Sequence, residues 1–194
     1  IAKLSKGKYY KPETTPFGIL QPVRSQVVKD LLEENGKTVG YLTGYSIYNS
    51  LGLTTQLSNV IQIGKNVVRP AFKRGQYTIS FIKQNNIITK ENIPLLQILD
   101  AIRYIQKIPD TTVGKSGKRF IAILKDLSDT EKSTLVRLAL KYPPSARALL
   151  GTLLDTIQAD ALSRPLYDSL NPITKYKLPG LKVVFPVADK WNFS

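Results

Sequence analysis

The chain has 194 residues, of which 42% are hydrophobic and 22% charged, so its composition excludes a disordered or collagen-like chain. It carries 28 basic and 14 acidic residues, a net charge of +14, and contains neither Cys nor His. Disulfides, thiolate zinc sites, cysteine nucleophiles and histidine-based triads are therefore excluded, and we expect no metal and no cofactor. There is no run of about 18 apolar residues and no basic-then-apolar leader, which favours a cytoplasmic protein without a membrane partner.

The basic residues lie partly in two acid-free stretches. Residues 1–12 contain four lysines, and residues 35–90 contain seven basic residues, without any Asp or Glu in either stretch. A field of one sign attracts polyanions, so we expect a nucleic acid or an acidic protein as the partner. The alternative interpretation is a solvated basic surface that binds nothing.

The first third of the chain predicts short strands and one helix. Residues 1–10 are typical of an arm of a β-hairpin, with a turn-like or bulged centre at residues 5–8 and strand-favouring tyrosines after it. Residues 11–22 contain Pro12, Pro16, Gly18 and Pro22 and predict a connector. An apolar stripe at helical spacing predicts a helix over residues 21–35, and Asn35-Gly36 is expected to end it.

The middle of the chain predicts strands. A short helix is expected over residues 43–51, and strands over residues 60–63, bounded by Gly64, and 76–83. The segment between these strands, residues 66–75, is basic and is interrupted by Pro70 and Gly75. Such a connection can present side chains to a partner without disturbing the core.

The second half predicts helices. One should begin near Asn92 and Pro94, and another at Ser128, where Ser128 and Glu131 form a capping box. A third should follow Pro143-Pro144, residues 114–118 should form a loop, and residues 171–194 should wrap the surface.

Three motifs are weak evidence for catalysis. The run GKSGKR at residues 114–119 lacks the earlier glycine of a Walker loop, because Pro109 stands there. Asp126, Asp129 and Glu131 cluster, but a helix start explains them, and no Asp-x-Asp pair is present. Ser80 and Lys83 have Ser-x-x-Lys spacing, but in a strand they point to opposite faces. We therefore expect a protein that is not an enzyme.

Several longer strings carry a family resemblance. SKGKYYKP (residues 5–12) resembles the wing of a winged helix-turn-helix and its exit. GYLTGYSIYNSLGLTTQ (residues 40–56), LLQILDAIRYIQKIP (residues 95–109), YPPSARALLGTLLD (residues 142–155) and the Leu-Asn-Pro at residues 170–172 resemble the AbiEi-like antitoxins. An uncharacterised bacterial group related to these antitoxins is even more similar. The resemblance spans nearly the whole chain, but its motifs are structural more than chemical.

The resemblance implies a transcriptional regulator of a bacterial toxin–antitoxin, or abortive-infection, system. Such proteins bind inverted repeats in their own promoter through an N-terminal winged helix. Their C-terminal domain counteracts a nucleotidyltransferase-like toxin, without stable binding to it in the best-known cases. The chain would then begin within the wing, with residues 1–16 as wing remnant and connector and residues 17–194 as the antitoxin-like domain.

The predicted fold class is α+β, a wing remnant followed by a mostly helical domain packed on a small mixed β-sheet. The residues predicted to contact double-stranded DNA are Lys3, Lys6, Lys8, Tyr9, Tyr10 and Lys11. The residues predicted to contact a partner are Arg69, Lys73 and Arg74. The alternative function is a basic nucleic-acid-binding subunit of another phage-defence or mobile-element complex.

Overall fold

A computed structural model of the chain describes residues 2–11, 14–16, 18–19 and 22–194. The chain divides into two compact units. Unit 1 comprises residues 1–47 and 57–90, and unit 2 comprises residues 48–56 and 91–194. The boundary predicted between residues 16 and 17 falls inside unit 1, and the assignment of residues 1–16 to a winged helix stays a prediction.

Unit 1 is built mainly from short strands. They are β1 (Ala2–Ser5), β2 (Lys8–Tyr10), β3 (Thr14–Thr15), β4 (Gly18–Ile19), β5 (Glu33–Glu34), β6 (Lys37–Thr38), β7 (Gly40–Thr43), β8 (Val60–Lys65), β9 (Phe72–Arg74) and β10 (Tyr77–Lys83). Two helical turns, α1 (Arg24–Val27) and α2 (Lys29–Leu32), precede β5. The main sheet has the order β7-β8-β10-β9, in which β8 and β10 are parallel and the other neighbours antiparallel.

The core of unit 1 lies between this sheet and the two helical turns. Val27, Val28 and Leu31 pack against isoleucines of β8 and β10. Gly64 continues β8 instead of ending it. A side chain has no room there, because the ring of Tyr41 occupies the space that a Cβ atom would need.

The helix predicted over residues 21–35 is shorter than expected. After Leu32 the chain forms a β5–β6 hairpin, and Asn35 and Gly36 are its turn, with φ angles of 50° and 74°. Two successive residues with positive φ are typical of a tight hairpin turn. The short helix expected over residues 43–51 is a single 3₁₀ turn at Gly44–Ser46, followed by further turns.

Unit 2 is helical. Its helices are α3 (Ile93–Arg103), α4 (Val113–Asp126), α5 (Asp129–Ala139), α6 (Pro144–Thr156), α7 (Asp160–Asp168) and α8 (Leu181–Val184). Helix α6 packs against α3, α4 and α7 and forms the centre of the unit. The start of α3, with Asn92 as N-cap and Pro94 in the first turn, is confirmed, as are the start of α6 at Pro144 and the capping box at Ser128 and Glu131. An α+β fold with a small mixed sheet is likewise confirmed.

Two expectations about unit 2 are wrong. Residues 114–118 are not a loop but the first turns of α4, which Thr112 caps by accepting a hydrogen bond from the backbone N–H of Lys115 at 3.2 Å. Their glycines permit close packing, because a Cβ atom at Gly117 would overlap the ring of Phe185. The segment after residue 171 does not wrap the surface but supplies core side chains, namely Leu178, Leu181, Phe185, Trp191 and Phe193.

Candidate nucleic-acid interface

The β1–β2 hairpin places its predicted contact residues on a short, exposed element. Its strands are antiparallel, with Lys3 opposite Tyr9 and a bulge between Lys3 and Ser5. Gly7, with φ of 76°, forms the turn beside Lys6. The turn therefore presents Lys6 at the tip of the hairpin, where it is exposed.

Three of the six predicted DNA contacts are exposed in the structure. These are Lys6, Lys11 and Tyr9, whose side chain keeps 64% of its accessible surface. Tyr10 is half-buried. The side chains of Lys3 and Lys8 lie outside the described part of the chain. Exposed lysines can bind phosphate oxygens, and an exposed tyrosine can contact sugar or phosphate without reading a base.

A cleft of about 530 Å³ lies on one flank of the hairpin, beside Gly7 and Tyr9. Its other lining residues are Gln26, Lys29, Asp30, Glu33 and Gly36. The Asp30 carboxylate is paired with the guanidinium of Arg74, at 2.7 Å. Glu33 and Lys29 therefore remain as one negative and one positive charge, and the cleft has no clear preference for an anion or a cation.

The second predicted set, Arg69, Lys73 and Arg74, does not form one patch. Arg69 is exposed and stacks its guanidinium over Phe72 and Phe81, 4.6 and 5.5 Å from the ring centroids. Lys73 is exposed and follows Phe72 directly in β9, so it points to the opposite face of the sheet. The two exposed cations are thus separated by the sheet.

Arg74 is buried and has a structural role, so it is not available to a partner. It is only 8% exposed, and its guanidinium donates to both carboxylate oxygens of Asp30, at 2.7 and 3.2 Å. It also donates to the backbone carbonyl of Val27 at 2.8 Å. This fork ties β9 to the helical turns, and its charge is compensated inside unit 1. We therefore omit Arg74 from the candidate surface.

A larger cleft in unit 1 has mixed charge. It encloses about 610 Å³ and is lined by Lys65 and Arg69, by Asp30 and Glu34, and by several apolar side chains. Lys65 and Glu34 form an ion pair at 3.4 Å. Because its charges compensate one another, this cleft has no clear preference for an anion or a cation.

The candidate catalytic groups have structural explanations. Glu131 accepts from the backbone N–H of Ser128 at 2.7 Å as part of the capping box, and this bond lowers the pKa of Glu131. The ammonium group of Lys83 donates to the backbone carbonyl of Asn66, and Ser80 lies on the opposite face of β10. No cluster of three acidic side chains that could hold a metal ion occurs among the described residues.

The sequence interpretation missed the buried polar cluster around Asp155 in α6. Its carboxylate accepts from the Ser163 hydroxyl, from Lys190 Nζ at 2.7 Å and from Trp191 Nε1 at 2.9 Å. Burial raises the pKa of Asp155, but the three donors and the Lys190 charge outweigh it, so the pKa lies below its ordinary value. An acid inside the apolar run LLGTLLDTI is the signal that could have shown it.

Within the described residues, no helix combines the length and the apolar character that crossing a bilayer requires.

Comparison with known proteins identified no relative: no protein-family model, no curated protein and no solved structure matches the chain significantly.

Proposed function

We propose that this chain is a non-enzymatic, DNA-binding regulator of a bacterial toxin–antitoxin system, of the AbiEi-like kind that its motifs resemble. The observation that carries the DNA-binding half is the β1–β2 hairpin, which exposes Lys6, Tyr9 and Lys11 on a chain of net charge +14. The antitoxin half is carried by the motif resemblance. Binding to its own promoter would place the protein in the bacterial cytoplasm.

The hairpin would act as a positioning element on duplex DNA. Lys6 and Lys11 would neutralise phosphates, and Tyr9 would lie against the sugar-phosphate backbone. Such contacts fix the orientation of a protein on DNA but carry no sequence information. A wing-like element that holds the backbone in this way is compatible with base recognition by another part of the whole protein.

The salt dependence of DNA binding tests the electrostatic half. Affinity for a labelled duplex is measured by fluorescence anisotropy from low to moderate salt. Each phosphate contact should contribute about −0.9 to the slope of log affinity against log salt concentration, so Lys6 and Lys11 together predict a slope of about −2 or steeper. A slope near zero would contradict phosphate binding.

Growth rescue tests the antitoxin half. The chain is expressed together with the product of its neighbouring gene, which the proposal expects to be a nucleotidyltransferase-like toxin, and colony growth is scored. Arg69 and Lys73 face opposite sides of the sheet, so Arg69→Glu and Lys73→Glu are made separately. The variant that reverses the charge on the functional side should lose rescue, whereas the other should retain it. Full rescue by both folded variants would remove these residues from the mechanism.

The two experiments also separate the two functions. Salt-dependent DNA binding without any growth rescue by the unaltered chain would favour a nucleic-acid-binding subunit of another defence or mobile-element complex. Growth rescue without DNA binding would contradict the assignment of the hairpin.

A further inference from the structure

A small pocket in unit 2 lies where the end of α3, the start of α6 and the C-terminal segment meet. Its volume is about 90 Å³, well below the roughly 300 Å³ at which pockets begin to hold drug-sized ligands. The apolar part of its lining consists of Ile102, Ile105, Ala146, Leu149, Leu178 and Phe193. A pocket of this size can enclose one compact group, such as a phosphate, but not a whole nucleoside.

The polar lining of the pocket consists of hydrogen-bond donors. It is supplied by Arg103, Gln106, Ser145 and Lys177. None of the described residues that line the pocket is acidic. In the described part of the chain, neither Arg103 nor Lys177 forms an ion pair with a carboxylate. Two uncompensated cations beside a hydroxyl and an amide favour a multiply charged anion.

The Arg103 side chain is held in place without using its hydrogen-bonding edge. Its guanidinium lies over the ring of Tyr104, 4.9 Å from the centroid. Stacking of this kind uses the face of the guanidinium and leaves its N–H groups in the plane for an acceptor. The guanidinium can therefore present a fork of donors to a phosphate oxygen pair.

We propose that this pocket binds a phosphate group, either inorganic phosphate or the terminal phosphate of a nucleotide. Arg103 and Lys177 supply the charge, Ser145 and Gln106 supply neutral hydrogen bonds, and the rest of the lining is apolar. Both ligand sources share the same phosphate chemistry. The proposal concerns unit 2 alone and is independent of DNA binding by the β1–β2 hairpin.

The test is a titration followed by amide NMR at constant ionic strength. Inorganic phosphate and a nucleoside 5′-monophosphate are added separately to the full chain. Saturable shifts are expected at Arg103, Ser145 and Lys177. A tighter response to the nucleotide would identify a phosphomonoester as the ligand, and an equal or weaker response would identify free phosphate.

Two charge-matched variants decide whether the pocket is the site. Arg103→Gln with Lys177→Gln should weaken phosphate binding by about tenfold or more, because each lost charge-assisted bond contributes substantially to affinity. Lys107→Gln with Lys175→Gln removes the same charge from the same two segments, outside the pocket lining, and should bind like the unaltered chain. Lys177→Gln alone, at an exposed position, should show a smaller loss if the double variant does not fold. Equal weakening in both double variants, or shifts that never saturate, would overturn the proposal.

Discussion

Replacing Asp155 with Asn should loosen the attachment of the C-terminal segment to α6. The carboxylate is only 2% exposed and accepts from two groups of that segment, Lys190 and Trp191. Asn keeps the shape of Asp but loses the charge, and its amide group presents hydrogens where Asp155 presents an acceptor. Trp191 Nε1 is buried, so a weakened bond there is not replaced by water.

The size of the effect follows from the exposure of the three donors. A hydrogen bond to a charged group contributes about 1.5–3 kcal/mol, and removing one partner of a fully buried ion pair costs about 3–5 kcal/mol. Lys190 is 49% exposed and can turn into solvent, which lowers the expected cost to about 3 kcal/mol. For a chain of this length, about 3 kcal/mol corresponds to a fall of roughly 6–12 °C in Tm.

Fluorescence of Trp191 is a direct assay, because it is the single tryptophan of the chain and is 1% exposed. Thermal unfolding of the unaltered chain and of Asp155→Asn is followed by its emission. Asp189→Asn is the matched control, since Asp189 lies in the same segment but forms an exposed ion pair with Lys182 at 2.8 Å. The control should melt close to the unaltered chain, because an exposed ion pair contributes little to stability. An Asp155→Asn chain that melts like the control would refute the reasoning.

The same cluster predicts a dependence on pH. The folded pKa of Asp155 lies below its ordinary value. Its stabilising contribution is therefore complete above the unfolded pKa of about 3.9 and is lost as the pH falls through the folded pKa. The unaltered chain should lose stability in this acidic range more steeply than Asp155→Asn. Parallel pH profiles for the two chains would contradict the sign of the shift.

Two further predictions concern structural residues. Arg74→Met should lower the free energy of unfolding by about 1.5–3 kcal/mol in chemical denaturation, because Asp30 and the Val27 carbonyl lose their donor; an unchanged denaturation midpoint would mean that the fork contributes nothing. Gly117→Ala should destabilise unit 2 by about 1–3 kcal/mol, because its Cβ atom meets the ring of Phe185, although alanine favours helices. The double variant with Phe185→Leu should recover part of the lost stability. A Gly117→Ala chain that is more stable than the unaltered chain would contradict the close packing.

Local signals in the sequence predicted the elements whose causes are local. The alternation of residues 76–83 identified β10, and Ser128 and Glu131 identified the start of α5. Asn35-Gly36 shows how a local signal can be assigned to the wrong element. The dipeptide favours a hairpin turn as well as a helix end, and the apolar stripe before it suggested a helix. Strands of two residues, such as β5 and β6, are too short to alternate visibly.

Features with distant causes could not be predicted in this way. The glycines of residues 114–118 are typical of a loop, but they serve contacts with Val184 and Phe185, which lie about 70 residues further along the chain. The prolines after residue 171 suggested a surface segment, but the segment's aromatic side chains fill the core of unit 2. Proline predicts the absence of a long helix, not the absence of burial.

The residues of the candidate interface also differ in whether local or distant contacts determine their exposure. Exposure of Lys6 and Tyr9 follows from a hairpin with a glycine turn, which the sequence indicates. The burial of Arg74 depends on Asp30, 44 residues earlier, and the separation of Arg69 from Lys73 depends on the register of β9. A cluster of basic residues in sequence therefore predicted a charge, but not a shared surface.

DNA affinity of two charge-matched double variants tests most directly whether the β1–β2 hairpin is the contact. Lys6→Ala with Lys11→Ala removes two charges from the hairpin and the residue after it. Lys83→Ala with Lys90→Ala removes two exposed charges of unit 1 that do not line the cleft beside the hairpin. At any one salt concentration, the hairpin variant should bind every duplex more weakly by a similar factor. Over a series of salt concentrations, its slope should be flatter by about 1.8, whereas the control should retain most of the affinity and the slope. Equal losses in the two variants would mean that only net charge matters, and would contradict the hairpin as the DNA contact.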